Sequence, residues 1–394
     1  MLAPLTSASA IALLSPSARV LAAAAAPDSG VSEVATLPWR DVQWQTLLEM
    51  ATFERAESQL HRLLAAAPPG VVPDEVARAV QGLYRVAVFH AAELADAAGA
   101  AHDALAAARV PALWLKGAAL AMQAEEEFSL RGMGDLDVLV APEHHPRARA
   151  VLREAGWVEP PEPVGYAEHH HEAPMSWRGQ ARLELHGGLF PPRHPFAADP
   201  AELWLARGVE AVWGARLVRV LPAHWHLVHA AVHWAWSHEG EIGTWQLLHD
   251  MHELGSGPVA DAQFWSDVVE AASNIDAGIP TGWALWSAAL LGRVPVPAEA
   301  WRRLRGVPSM VGMTERQWVV RAFQSPAASP SVKWTRFWWR RAMRNLGAPG
   351  GRWPWAAGRA GVIPVPDRSR AALLSRGGSG TGRWRDHLGR VLRG

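Results

Sequence analysis

LWLKGAALAMQAEEEFSLRGMGDLDVLV, residues 113–140, is the stretch that decides the fold. Val110 to Leu115 is a short apolar run that Lys116-Gly117 ends. Ala118 to Glu127 is helix-prone, Arg131, Gly132 and Gly134 belong to a loop, and Leu136 to Val140 is a second apolar run. The pattern predicts strand, tight glycine turn, helix, loop, strand. Alternate side chains of a strand share a face, so Asp135 and Asp137 point one way while Leu136 and Val138 enter a core. Two adjacent carboxylates at the start of an apolar strand are unfavourable unless a cation sits between them. Mg²⁺, a hard ion that takes oxygen ligands and arrives with phosphates, suits such a pair. Asp-x-Asp by itself is most often a solvated turn; the surroundings distinguish this copy. A glycine turn at a helix N-terminus presents free backbone N–H groups and the positive dipole end to a phosphate. Lys116 and Arg131 add positive charge nearby.

Downstream, Pro142 starts a crossover helix whose Ala148, Val151, Leu152 and Ala155 share a face, and Gly156 ends it. Tyr166 to Trp177 and Ala181 to His186 flank Arg178-Gly179-Gln180 and read as a hairpin. On the second of these strands Arg182, Glu184 and His186 share one face, with Leu183 and Leu185 on the other.

The LKGAAL…RGMGDLDVLV pattern, with its later acidic-x-His strand, resembles the uncharacterised nucleotidyltransferase family of the DNA polymerase β-like superfamily, over roughly residues 35–325. The resemblance implies an α/β core: a nucleotidyltransferase-type mixed sheet with helices, preceded by a helical N-terminal lead-in and followed by a helical C-terminal domain. It also implies Mg²⁺-dependent transfer of a nucleoside monophosphate from an NTP, ATP foremost, to a hydroxyl-type acceptor, with release of pyrophosphate. By the same resemblance Asp135 and Asp137 would bridge two metal ions, and Glu184 would serve the ion beside the nucleophile and act as general base. Lys116, Gly117 and Arg131 would face the triphosphate, His186 would orient Glu184 or touch substrate in an acceptor pocket, and His233 and Asp250 would line that pocket or pair across two helices. Well-studied superfamily members have Gly-Ser on the turn; here Ala118 follows Gly117, so that hydroxyl is missing. The departure keeps a second expectation open: a non-catalytic module that binds nucleotide or a protein partner.

The remainder of the chain frames this core. With 394 residues and 49% hydrophobic composition, a large core or two domains are affordable. Formal net charge is zero, so overall charge names no partner. The absence of cysteine excludes disulfides, thiolate zinc sites and cysteine nucleophiles. No apolar run has the length of a membrane span. Residues 1–30 are rich in Ala, Ser and Leu but lack a basic n-region, which predicts a disordered lead-in or short helix rather than an export signal, and a cytoplasmic protein. Residues 31–109 read as packing helices: Trp44, Leu47, Leu48 and Ala51 are spaced for one helix face, and a long Ala-rich helix runs from about Asp74 to Ala108, with Gly99 as a point of kinking.

The α/β core is expected over 110–221 and a helical domain over 222–325. In the latter, His226, His229 and His233 share a helix face without a matching carboxylate, which favours a polar seam at a cleft over zinc. From Pro326 onward, 14 Lys and Arg stand against two acids, interleaved with Trp334, Trp338, Trp339, Trp353, Trp355 and Trp384. A basic, aromatic tail over 326–394 offers surfaces to nucleic acid or to an anionic membrane, and a third expectation is a nucleic-acid-binding protein working through it.

Overall fold

The computed structural model describes residues 5–26, 31–123, 128, 131–160, 171–191, 196, 199–238, 240, 242–256, 260–304, 319 and 323. The basic tail expected over 326–394 and the histidines His169 and His170 lie outside the described residues.

Seven strands form one mixed sheet: β1 (Leu113–Leu115), β2 (Leu136–Leu139), β3 (Trp157–Val158), β4 (Met175–Trp177), β5 (Ala181–His186), β6 (Val209–Trp213) and β7 (Arg216–Val220). Their order across the sheet is β3-β4-β5-β2-β1-β7-β6. The decisive stretch therefore supplies central strands. β1 runs antiparallel to β2 and parallel to β7, and β2 runs parallel to β5. The hairpin of β4 and β5 is as the sequence indicates. The hairpin of β6 and β7 was missed, although Gly214, at φ +58°, marks its turn between two alternating runs.

The helices follow in chain order: α1 (Ser7–Ala12), α2 (Pro16–Ala24), α3 (Val31–Val34), α4 (Trp44–Glu54), α5 (Glu57–Ala65), α6 (Asp74–Ala107), α7 (Lys116–Gln123), α8 (His145–Glu154), α9 (Ala201–Arg207), α10 (Ala223–Val232), α11 (Thr244–Gly255), α12 (Ala262–Asn274), α13 (Gly278–Leu291) and α14 (Ala298–Leu304). α6 has the predicted span and is uninterrupted at Gly99. That glycine instead leaves room for the Arg216 guanidinium, which would come within 3.0 Å of a Cβ there and which grips Asp103 through two 2.8 Å hydrogen bonds.

One face of the sheet carries Trp114, Leu136, Val138, Leu183, Leu185, Val218 and Val220, packed against Leu94, Ala98 and Ala101 of α6 and Leu152 of α8. The other face carries Leu113, Leu115 and Leu139, packed into a larger core shared by the N-terminal helices and α10 to α14. The expected division into a helical segment at 31–109 and a helical domain at 222–325 is thus bridged by one apolar core. Of the two expectations for residues 1–30, a disordered lead-in or a short helix, 5–26 follow the helical one, as α1 and α2. Ser15 caps α2 by accepting from the Ala18 N–H, Pro16 sits at the first helical position, and Val20 and Leu21 are fully buried. An Ala-rich segment has little polar surface to lose, so a slot between helices suffices to order it. Among the described residues no helix is long and apolar enough to cross a membrane.

Candidate functional site

Register assembles the site. Asp137 of β2 lies directly beside Glu184 of β5, and Leu115 of β1 lies opposite Asp137 on the other side. Because Leu136 and Val138 are committed to the α6 face, Asp137, Glu184 and His186 project toward the helical layer. The chain leaves β1 at Lys116, whose φ of +50° puts it in the left-handed region, and α7 begins at that residue. Within the tight turn expected at Lys116-Gly117, the left-handed residue is Lys116, a conformation that costs a lysine about 1 kcal/mol or more. Gly117 is required for a different reason. A Cβ there would stand 2.1 Å from Arg131 Nη1 and 2.8 Å from the Met133 side chain.

Lys116 Nζ donates to Asp137 Oδ1 at 2.7 Å, and His186 Nε2 meets the same oxygen at 2.7 Å. Glu184 Oε2 is 3.8 Å from His186 Nε2 and 3.6 Å from His171 Nε2. Asp137 and His186 are buried. Burial alone would raise the Asp137 carboxyl; the Lys116 ammonium and the His186 hydrogen bond outweigh it and hold that carboxyl far below the usual range. Burial, then repulsion from Asp135 and Asp137, pushes Glu184 up to about 8. Burial pushes His186 down to about 4, so at neutral pH its ring is uncharged and Nε2–H donates to the aspartate.

A pair of carboxylates in which one must keep its proton has capacity for more positive charge than Lys116 provides. Asp137, Glu184 and His186 each offer a ligand atom, and these atoms lie within 4.8 Å of one another. It is the one such group among the described residues, and its oxygen-rich donor set fits a hard divalent cation. Asp135 is exposed at the entry to β2, outside that triplet, and its charge acts on Glu184, Lys116 and Arg131. Asp135, the third carboxylate expected at the metal, thus stands at the rim, and His186 lies within the innermost group.

The loop before β2 is clamped from three directions. Arg131 forks onto Asp250 of α11, with Nε 2.5 Å from Oδ1 and Nη2 2.8 Å from Oδ2. Gln246 Nε2 donates to the Gly132 carbonyl at 2.9 Å. Arg55, joining α4 to α5, lies so close that a Cβ on Gly132 would stand 2.2 Å from its carbonyl oxygen. Arg131 commits Nε and Nη2 to Asp250, while its Nη1 lies over Gly117, so the guanidinium reaches the Lys116-Gly117 turn. Both side chains are nearly buried, and a buried guanidinium takes the nearest carboxylate.

Imidazoles line the helical side. His226 and His229 of α10 are buried, and the His229 ring lies 5.6 Å from Phe190 and 6.4 Å from His233. His233, in a π-helical turn spanning His233–Ser237 that extends α10, lies 4.4 Å from His238. Burial holds His229 well below its usual range and brings His226 and His238 to about 4, so this wall is neutral. The structure thus brings together Lys116, Asp137, Glu184 and His186, sets Asp135 at their edge, uses Gly117, Arg131 and Asp250 as a clamp, and leaves His233 on the imidazole wall. Sequence reasoning missed Gln246 and Arg55, and it read His171 only as part of a run of three histidines, 169–171, that cannot chelate as a unit. Only the two glycines flanking Met133, which signal close backbone approach, hinted at Arg55.

A family model described as "Uncharacterised nucleotidyltransferase" matches residues 40–292. No curated protein and no solved structure matches the chain. The match covers more than half of the 394 residues, and the chain belongs to the uncharacterised nucleotidyltransferase family.

Proposed function

From that membership we propose a Mg²⁺-dependent nucleotidyltransferase that moves a nucleoside monophosphate from an NTP, ATP foremost, to a hydroxyl-type acceptor and releases pyrophosphate. The observation that carries the reading is the lateral pairing of Asp137 with Glu184, closed on one side by Lys116. Asp135, Asp137 and Glu184 would hold the metal, with His186 at hand. When bound, such ions neutralise phosphate charge and acidify an attacking hydroxyl.

The chain's own groups take the other tasks. His186 fixes the Asp137 carboxylate by donating to Oδ1, leaving Oδ2 for other ligands. Glu184, beside Asp137 on the adjacent strand, would receive the acceptor's proton as general base. Lys116 offers an ammonium that can turn from Asp137 to a phosphate oxygen. The neutral histidines His229 and His238, with His233 between them, suit an acceptor recognised by hydrogen bonds rather than by charge. Asp250, held by Arg131, contributes to the acceptor side by fixing the loop's position.

A second reading, a nucleotide-binding module without turnover, is favoured by one arrangement. The Lys116 ammonium already rests on the oxygen a metal would use, and Ala118 offers no hydroxyl. Pyrophosphate release distinguishes the two. The full chain is supplied with each of the four NTPs, Mg²⁺ and a deproteinised small-molecule extract as acceptor source. A transferase releases pyrophosphate with one of them, and Glu184→Gln lowers the rate by about 10³-fold or more. Saturable Mg·ATP binding with no pyrophosphate from any NTP establishes the module instead.

A further inference from the structure

A transferred nucleotide brings several negative charges, and the positive groups predicted to meet them are occupied. Arg131 is neutralised by Asp250, and Lys116 is bonded to Asp137. Arg55 is placed differently. It is the left-handed C-cap of α4, at φ 57° and ψ 42°, and it separates α4 from α5. A non-glycine residue holds that conformation only where its surroundings enforce it. Its guanidinium lies across Gly134, the residue before Asp135. A Cβ on Gly134 would stand 1.9 Å from Arg55 Nη1 and 2.3 Å from Nη2. Two glycines, Gly132 and Gly134, are therefore needed to seat this one arginine against the loop that carries Asp135. Arg55 is exposed; its backbone N–H closes α4 on Ala51 and Thr52, while its guanidinium makes no ion pair or hydrogen bond among the described residues. Gly134 directly precedes Asp135, so the guanidinium lies on the loop segment that leads into the carboxylate-bearing strand.

We propose that Arg55 is a substrate-facing residue that grips the β- and γ-phosphates of the incoming nucleoside triphosphate through its forked guanidinium. The inference rests on the nucleotidyltransferase reading above and adds the N-terminal helical segment to the site. A guanidinium presents several N–H donors in a plane that matches phosphate oxygens, and an exposed arginine built into position without a carboxylate is ready for an anion. A side chain that merely braced the loop would contribute equally to every nucleotide.

Equilibrium binding of Mg·ATP and of AMP to the full chain tests this, with wild type, Arg55→Gln and Arg55→Lys compared. Arg55→Gln is expected to weaken Mg·ATP about 10-fold to 100-fold and to leave AMP within twofold. Arg55→Lys, which keeps the charge without the fork, falls between and serves if the glutamine variant does not fold. Unchanged Mg·ATP affinity, or an equal loss for AMP, overturns the assignment while the nucleotidyltransferase reading stands. A wild-type chain that binds no NTP overturns both.

Discussion

Glu184 carries a penalty that only a bound cation removes. In the metal-free protein its burial and its two aspartate neighbours oppose ionisation. Glu184→Gln is therefore expected to stabilise the metal-free fold, by on the order of 1–3 kcal/mol, while abolishing Mg²⁺-dependent stabilisation; melting in EDTA and in Mg²⁺ reads both. A variant that melts below wild type in EDTA contradicts the idea that this carboxylate is held for function. His186 acts on its neighbour. His186→Ala is expected to weaken divalent-cation binding about 10-fold to 100-fold by freeing Asp137, and titration of Mn²⁺ would detect it. Glu57, beside Arg55, gives the pH test. Burial raises it from 4.5 to about 7. An acid that holds its proton more tightly in the folded chain loses stability as pH rises from 4.5 to about 7, and the loss is complete above that range. Glu57→Gln should accordingly melt above wild type at pH 8, by up to about 3 kcal/mol, and match it near pH 4. A constant offset at all pH values would contradict the assignment to ionisation.

Among the elements, the loop between α7 and β2 depends most on its neighbours. Asp250 of α11 is its counter-charge, nearly buried with Arg131. Asp250→Ala leaves a guanidinium buried without a partner and should destabilise the fold by about 3–5 kcal/mol in denaturant titrations. A change under 1 kcal/mol would mean that water reaches Arg131. The elements also show where sequence pattern suffices. β2, β5 and α6 were legible because their apolar periodicity is set by the faces they bury. The pairing of Asp137 with Glu184 followed only once β2 and β5 were adjacent and parallel, which periodicity does not specify. The tight turn at Lys116-Gly117 was legible from its glycine, but not which of the two residues is left-handed. The strain went to Lys116, since Gly117 is needed where Arg131 packs. The pairing of Arg131 with Asp250 was not legible, because the two are 119 residues apart in sequence, beyond any local pattern.

At the scale of the whole molecule, one core joins α1, α2, α4 and α5 to the C-terminal helices, with the carboxylates on the sheet face turned toward it. The ordering of residues 5–26 was not legible, because Ala-rich composition is shared by loose leaders and packed helices; only the tertiary slot decides. Leu21→Ala, at a fully buried position of α2, should lower stability by about 2–5 kcal/mol, whereas a loose segment would tolerate it without effect. The most direct measurement of the account as a whole is the fate of isotope from ATP in the presence of Mg²⁺ and a cellular acceptor pool. With label on the α-phosphate, radioactivity should move into an acceptor-bound product. With label on the γ-phosphate, it should appear in pyrophosphate, and both transfers should vanish in Glu184→Gln. Label that stays in ATP with every NTP tried, or transfer that persists in Glu184→Gln, would contradict the account.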